Sequence, residues 1–289
     1  MQKGAAMVIP VLPATPNATA HLTDGVGWYS FPALDAYAHR IVNGFSTRIG
    51  GVSVGGGLDS LNLGLGRGDS QEAVLENYRR WGAAVGFSVE DTVLSRQDHH
   101  TVLRHVTAAD RGKGLLRPRD YDSVDGLWTE EPGIALITHY ADCTPLLFYA
   151  PDKNIIAASH AGWRGTAARI GELTVKKLAE LGCNIKETVA IIGPAAGPER
   201  YQVDEDCALH FRELRDEQGA VYRPQPGFAG KYLLDIWRAN RCILLEAGLS
   251  PEHIHIAGLC TISHPEVFYS HRVQGNARGS LAAAIMIRK

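Results

Sequence analysis

The chain is short of several residue types, and each shortage narrows what it can be. Its 289 residues hold five cysteines, at 143, 183, 207, 242 and 260, and no two form a C-x-x-C pair. An odd number at such spacing is a poor disulfide framework and fits a reducing compartment, so a cytoplasmic setting is expected. Methionine occurs only three times, at 1, 7 and 286, which leaves little thioether for an axial copper ligand. Neither sign of charge dominates: 29 Lys and Arg face 31 Asp and Glu, for a net charge of −2. That balance supplies no field for a nucleic-acid backbone, and no nucleic-acid partner is expected. The most basic run, RGKGLLRPRD at 111–120, reads as a solvated loop. No apolar run approaches about 18 residues, so no membrane span is expected. Neither G-x-x-x-x-G-K-[ST] nor a dinucleotide fingerprint is present, which removes P-loop chemistry.

What is present is an ordinary globular composition, 45% hydrophobic and 21% charged, long enough to bury a sizeable core. A loose, Pro-rich segment is expected over 1–22, followed by a single catalytic domain over 23–289. The first twenty residues end in Ala-x-Ala as a secretory leader would, but Pro10, Pro13 and Pro16 interrupt their apolar stretch. Helices are predicted in DSQEAVLENYRRWGAAVG, with a capping box of Asp69 and Glu72 and a stripe of Val74, Tyr78, Trp81 and Val85. TAARIGELTVKKLAELG places Ile170, Leu173, Leu178 and Leu181 on one face and stops at Gly182. DEDCALHFRELRDEQG and DIWRANRCILLEAG read the same way, with Cys207 and Cys242 as core fillers. Between them GIALITH, PLLFYA, NIIAAS, TVAIIG, HIHIAG and LAAAIMI read as strands, mostly apolar at both parities and so covered on both faces. Their irregular order predicts an α+β fold, one domain with mixed β-sheets packed between helices.

Two of these strands end on chemistry. NIIAAS runs into HAGWRG and delivers His160; GIALITH runs into YADCTP and delivers Asp142 and Cys143. Continued alternation would put Cys143 on the face of His139. A third segment, SRQDHHTVLRHV, offers His99 or His100. Two imidazoles and a thiolate from separate segments suit a three-ligand metal site with one position open. The plainer reading keeps Cys143 as a small buried hydrophobe and His160 as a core histidine; a metal-free pair, Cys143 as nucleophile and His160 as base, is a further alternative. A binding module without turnover is another. Arg164, beside a helix start expected near Thr166, offers a cation to an anionic ligand. Arg48, among the glycines of FSTRIGGVSVGGG, is a second phosphate candidate.

The motifs FSTRIGGVS, LNLG, RQDHH, DGLWT, ADCTPLLFY, SHAGWRGT, IIGPAAGPERYQV, LDIWRANRCILLEAG and FYSHR occur in an order that resembles the YfiH/laccase-domain family, also called the polyphenol oxidase or purine nucleoside phosphorylase family. The resemblance runs from about residue 44 to the C-terminus. It implies a mixed α/β domain holding one catalytic zinc on His99, Cys143 and His160, with copper the alternative. The family's Q-V-H-G is QDHH here, so Asp98 and His100 are departures, and His99 keeps the offset from Gln97. The implied activity is phosphorolysis of adenosine, inosine, guanosine or methylthioadenosine, with hydrolytic deamination of adenosine beside it and copper-dependent phenol oxidation as an older assignment. The partners are then a purine nucleoside and phosphate, with no protein partner indicated. Asp142 becomes a candidate for moving protons or for bracing Cys143. Asn62 and Gln97 become candidates for hydrogen bonds to ribose or base, while Tyr269, His271 and Arg272 would support the pocket.

Overall fold

Strands that are apolar at both parities are buried on both faces here because two sheets lie face to face and each carries helices on its outer side. The computed structural model describes residues 10–289. One six-stranded sheet has the order β1 (Thr19–Thr23), β2 (Val26–Ser30), β3 (Ile41–Ser46), β17 (Leu281–Ile287), β7 (Ala135–Tyr140) and β4 (Thr92–Leu94). The other, also six-stranded, has the order β16 (Ile254–Ile256), β10 (Val189–Ile192), β8 (Thr144–Ala150), β9 (Ile155–Ala161), β6 (Gly126–Thr129) and β5 (Leu103–His105). Both are mixed: β4 runs parallel to β7, β5 to β6 and β10 to β16, among otherwise antiparallel pairs.

The parity of each strand decides its neighbours. In β17, Leu281, Ala283, Ile285 and Ile287 enter the core between the sheets, while Ala282, Ala284 and Met286 face a helix. In β9, Ile156 and Ala158 enter that same core, and Ile155 and Ala157 face the helices opposite. Burying each such Ile or Leu contributes about 1.5–3 kcal/mol. The expected α+β fold, with mixed sheets between helices, is the one observed.

The outer face of the first sheet carries α1 (Gln71–Val85), whose stripe of Val74, Tyr78, Trp81 and Val85 packs on Val42, Ala135, Ile137 and Ala284. The expected capping box does not form; a simple cap one residue later takes its place. Ser70 Oγ accepts from the Ala73 amide at 3.1 Å, because the Asp69 carboxylate is engaged by Ser53 and Asn62 instead. The single helix expected from Thr166 is two, α2 (Trp163–Ala167) and α3 (Ile170–Glu180), separated by Arg169 at φ 64°. Leu173 faces solvent, and Thr174 and Val175 take the inner face instead. Gly182 ends the run as expected: its amide bonds to Ala179 and that of Cys183 to Leu178, the paired bonds of a Schellman motif.

The third expected helix stops early, as α4 (Glu205–Leu209). Residues 215–220 instead form a hairpin of β12 (Arg215–Asp216) and β13 (Gly219–Ala220), with Asp216 clamped by Arg238. The fourth is α5 (Ile236–Glu246), capped by Asp235 and holding Cys242 in its core. A small sheet of β11 (Gln202–Asp204), β15 (Lys231–Leu234) and β14 (Tyr222–Pro224) packs beside it. His271 and Arg272 open a short α6 (His271–Gln274). Of the Pro-rich segment 1–22 and its leader-like ending, residues 1–9 lie outside the described residues, and Thr19–Thr23 forms edge strand β1 on β2. No described helix is long and apolar enough to cross a membrane.

Candidate functional site

Three segments that are remote in sequence bring one donor atom each to a common point. His160, the penultimate residue of β9, is buried, and its Nδ1 lies 2.8 Å from Asp125 Oδ1, which leaves Nε2 for another partner. Cys143 follows a bend in which β7 ends at Tyr140 and Asp142 takes φ 87°. That left-handed residue breaks the alternation, so Cys143 does not share the face of His139. It packs against the core between the sheets, whereas the His139 ring meets the Tyr78 hydroxyl of α1 at 2.6 Å. His99, itself at φ 70°, completes the group. The ligand atoms of His99, Cys143 and His160 all lie within 4.8 Å of one another. His100 turns away, its Nδ1 2.6 Å from Ser123 Oγ.

One residue that sequence reasoning did not single out organises two of the three. Asp125, fully buried just before β6, accepts the His99 amide on Oδ1 and the amides of Asp98 and His100 on Oδ2, each at 3.1 Å, besides its contact with His160. Its only sequence signal was a carboxylate leading directly into an apolar strand, in DGLWT. Gly162 closes the group from below. A Cβ there would stand 2.8 Å from His99 Nδ1 and 3.0 Å from Cys143 Sγ, so a larger residue would push these two side chains aside.

The electrostatics follow from this packing. Burial disfavours charge on His160, but the Cys143 sulfur and the Asp125 carboxylate outweigh it and hold the imidazole up at about 9. Burial would raise Asp125, yet the bond to His160 and the amides of Asp98 and His100 keep it low. His99 is lowered by burial and by its neighbour His160. A thiol and two imidazoles beside a buried carboxylate form a place where a cation can take the place of a proton. The soft sulfur, two nitrogens and a carboxylate behind one imidazole also match the donor set and support of a metal centre. The group can therefore hold a metal ion.

The remaining candidates divide. Asp142 has both carboxylate oxygens engaged, Oδ1 by Thr261 Oγ1 at 2.6 Å and Oδ2 by Ser270 Oγ at 2.9 Å and the Arg272 amide at 2.7 Å. It ties the Cys143 bend to α6. Arg48 is turned to its own fold, donating to the carbonyls of Asp59 and Pro265 at 2.8 Å and lying over the buried Tyr269 ring. Asn62 is fully buried and spends its amide on Gly64, Asp69 and Ser280. Gln97 borders a cavity, but its amide pairs with both backbone groups of His139, at 2.7 and 2.8 Å. Arg164 is different: it lies over the Trp163 ring at 4.2 Å, with no carboxylate in ion-pair reach among the described residues.

The donor group stands where two cavities meet, since His99, Cys143 and His271 border both. The first, about 410 Å³, is lined by Arg67, Arg96, Arg119 and Arg278 and by no carboxylate. Arg119 belongs to the basic run at 111–120, so that run is more than a solvated loop; Lys113 within it is tied to Asp110 and Asp120. The second cavity, about 470 Å³, offers the rings of Trp163 and Tyr201 with Val203 and Ile236, and the cations Arg164 and Arg272. Asp204 at its edge is paired with Lys231.

A His-Cys-His group able to hold a metal, set on two facing mixed sheets, defines a class of protein, and comparison with known proteins names it. The chain belongs to the family described as multi-copper polyphenol oxidoreductase laccase, whose model matches residues 42–288. It is 35% identical over 255 residues, 86% of this chain and 90% of the relative, to purine nucleoside phosphorylase YlmD of Bacillus subtilis. It is 31% identical to human purine nucleoside phosphorylase LACC1, over 86% of this chain and 56% of that one. Among solved structures, YlmD from Geobacillus stearothermophilus superposes with a TM-score of 0.82 at 34% identity, covering 91% of this chain and 97% of that one. The Bacillus licheniformis hypothetical protein YfiH gives a TM-score of 0.84 at 29% identity, covering 93% and 99%.

Proposed function

We propose that the protein is a zinc-dependent purine nucleoside phosphorylase acting on adenosine, inosine, guanosine or methylthioadenosine. The observation that carries this reading is the placement of one donor group between a cavity of arginines without carboxylates and a cavity with two aromatic rings. The names of its relatives point the same way. The cavity of Trp163, Tyr201, Val203 and Ile236 receives the purine, and the arginines of the first cavity hold orthophosphate. C1′ of the ribose then lies at the junction, with nucleophile and leaving group on opposite sides. An orthophosphate oxygen forms the bond to C1′, the C1′–N9 bond breaks, and the purine leaves carrying the proton that the phosphate gives up. His99, Cys143 and His160 would hold the zinc, which would supply Lewis acidity to the reacting groups. Asp125 fixes His160 and the His99 loop; Asp142 braces Cys143.

Two features favour phosphorolysis over deamination and zinc over copper. Deamination needs a carboxylate free to move protons, whereas Asp142 is saturated and Asp204 is paired with Lys231. A blue-copper site calls for an axial thioether, and the methionine among the described residues, Met286, lies in the core under α1. Five cysteines without disulfide partners accord with a cytoplasmic setting.

The test is to incubate the protein with adenosine, inosine and methylthioadenosine, with and without phosphate, and to identify products by mass. Free purine that depends on phosphate is expected. Inosine formed from adenosine without phosphate would establish deamination instead. Metal analysis of protein purified without chelator should give about one zinc per chain; absence of metal, with alkylation of Cys143 by substrate-like electrophiles, would establish the cysteine hydrolase.

A further inference from the structure

In the phosphorolysis given above, a proton passes from orthophosphate to the departing purine, and the two lie in different cavities. A side chain that carries it must border both cavities and keep a lone pair free. Four residues border both: His99, Ala141, Cys143 and His271. Ala141 has no polar side chain, and His99 and Cys143 belong to the donor group. His271 remains. No carboxylate competes for the task, since the first cavity has none and Asp142 and Asp204 of the second are engaged.

The bonding of His271 leaves one ring nitrogen ready. At the start of α6 its carbonyl accepts the Gly275 amide at 2.8 Å, and its Nδ1 lies 3.1 Å from the Gly275 carbonyl oxygen. A carbonyl oxygen only accepts, so Nδ1 carries the proton of the neutral imidazole and Nε2 keeps its lone pair. Asp142 fixes this segment beside Cys143, since its Oδ2 accepts from Ser270 Oγ at 2.9 Å and the Arg272 amide at 2.7 Å, on either side of His271. We propose that His271 is a catalytic residue that relays the proton from orthophosphate to the purine, an assignment that rests on the phosphorylase reading. As the phosphate oxygen bonds to C1′, the phosphate proton passes to Nε2. As the C1′–N9 bond breaks, its electron pair goes to the purine and Nε2 gives that proton to a purine ring nitrogen. The imidazole begins and ends neutral, so atoms and charge balance with no further reactant.

Steady-state kinetics of His271→Gln with guanosine and with 7-methylguanosine test this. Gln keeps a donor for the Gly275 carbonyl but is no base, and circular dichroism and metal content should match those of the unsubstituted protein. Guanine needs a proton as it leaves, whereas cationic 7-methylguanosine releases a neutral base without one. With guanosine, kcat should fall about 100-fold or more while KM for guanosine and for phosphate stays within about threefold. With 7-methylguanosine the loss should be smaller by at least about tenfold. A smaller fall with guanosine, or losses of like size on the two substrates, overturns the assignment. Product analysis separates it from the reading beneath it. No guanine from the unsubstituted protein with phosphate present removes phosphorolysis, whereas guanine released by the variant at an undiminished rate removes only the relay.

Discussion

His160 and His99 lie with ring centroids 4.9 Å apart, yet opposite means hold them there. His160 is carried by β9, paired on both sides by β6 and β8, and its ring is fixed by a carboxylate at Nδ1. His99 sits in a loop at positive φ, exposed to solvent, and its backbone reaches the site through one amide bonded to that same carboxylate. The comparison shows that a rigid strand supplies one candidate ligand and a buried anion recruits the other. Asp125 is the single point at which both are set.

The largest effect is expected from breaking that shared point. Asp125→Asn keeps the shape but removes the charge, so both histidines lose their anchor at once. Zinc affinity should fall about 10–100-fold in chelator competition, with a lower melting temperature because His160 is left partly unpaired. Unchanged affinity would mean that the two histidines are placed independently. A smaller effect is expected from Gly162→Ala, which crowds His99 Nδ1 and Cys143 Sγ but leaves Asp125 untouched. It should cost about 1–3 kcal/mol of zinc binding while the melting temperature of the metal-free protein barely moves. The smallest belongs to His100→Ala, which should change zinc affinity by no more than about 0.5 kcal/mol. A loss as large as that of Gly162→Ala would show that the loop can present either histidine.

Within the site, what could be read in the sequence follows the distance over which each residue acts. Cys143 and His160 were legible because each terminates an apolar strand, where a polar side chain needs a reason. Asp125 was not, because its partners lie 25 to 35 residues away and no local pattern announces them; the separations to His100 and His160 give those limits. Arg48, Asn62 and Gln97 resembled ligand contacts in their motifs, but their hydrogen bonds go to the protein's own backbone and to the side chains of Asp69 and Ser95. The arginines of the first cavity were hidden for the converse reason. Arg67, Arg96, Arg119 and Arg278 share no motif and meet only when four loops fold over one site.

The sequence by itself determined the layers. Apolar residues at both parities force a strand to be covered on two sides, and helical stripes supply the covers, because those patterns repeat over two to four residues. Ser70 rather than Asp69 as cap, the break at Arg169 and the early end of α4 were settled by tertiary partners competing for the same polar groups or redirecting the chain. Only the tertiary structure decided which charges face one another. Electrostatic and coordination energies depend on separations of a few ångströms between residues far apart in the chain, and a linear sequence does not encode those separations directly.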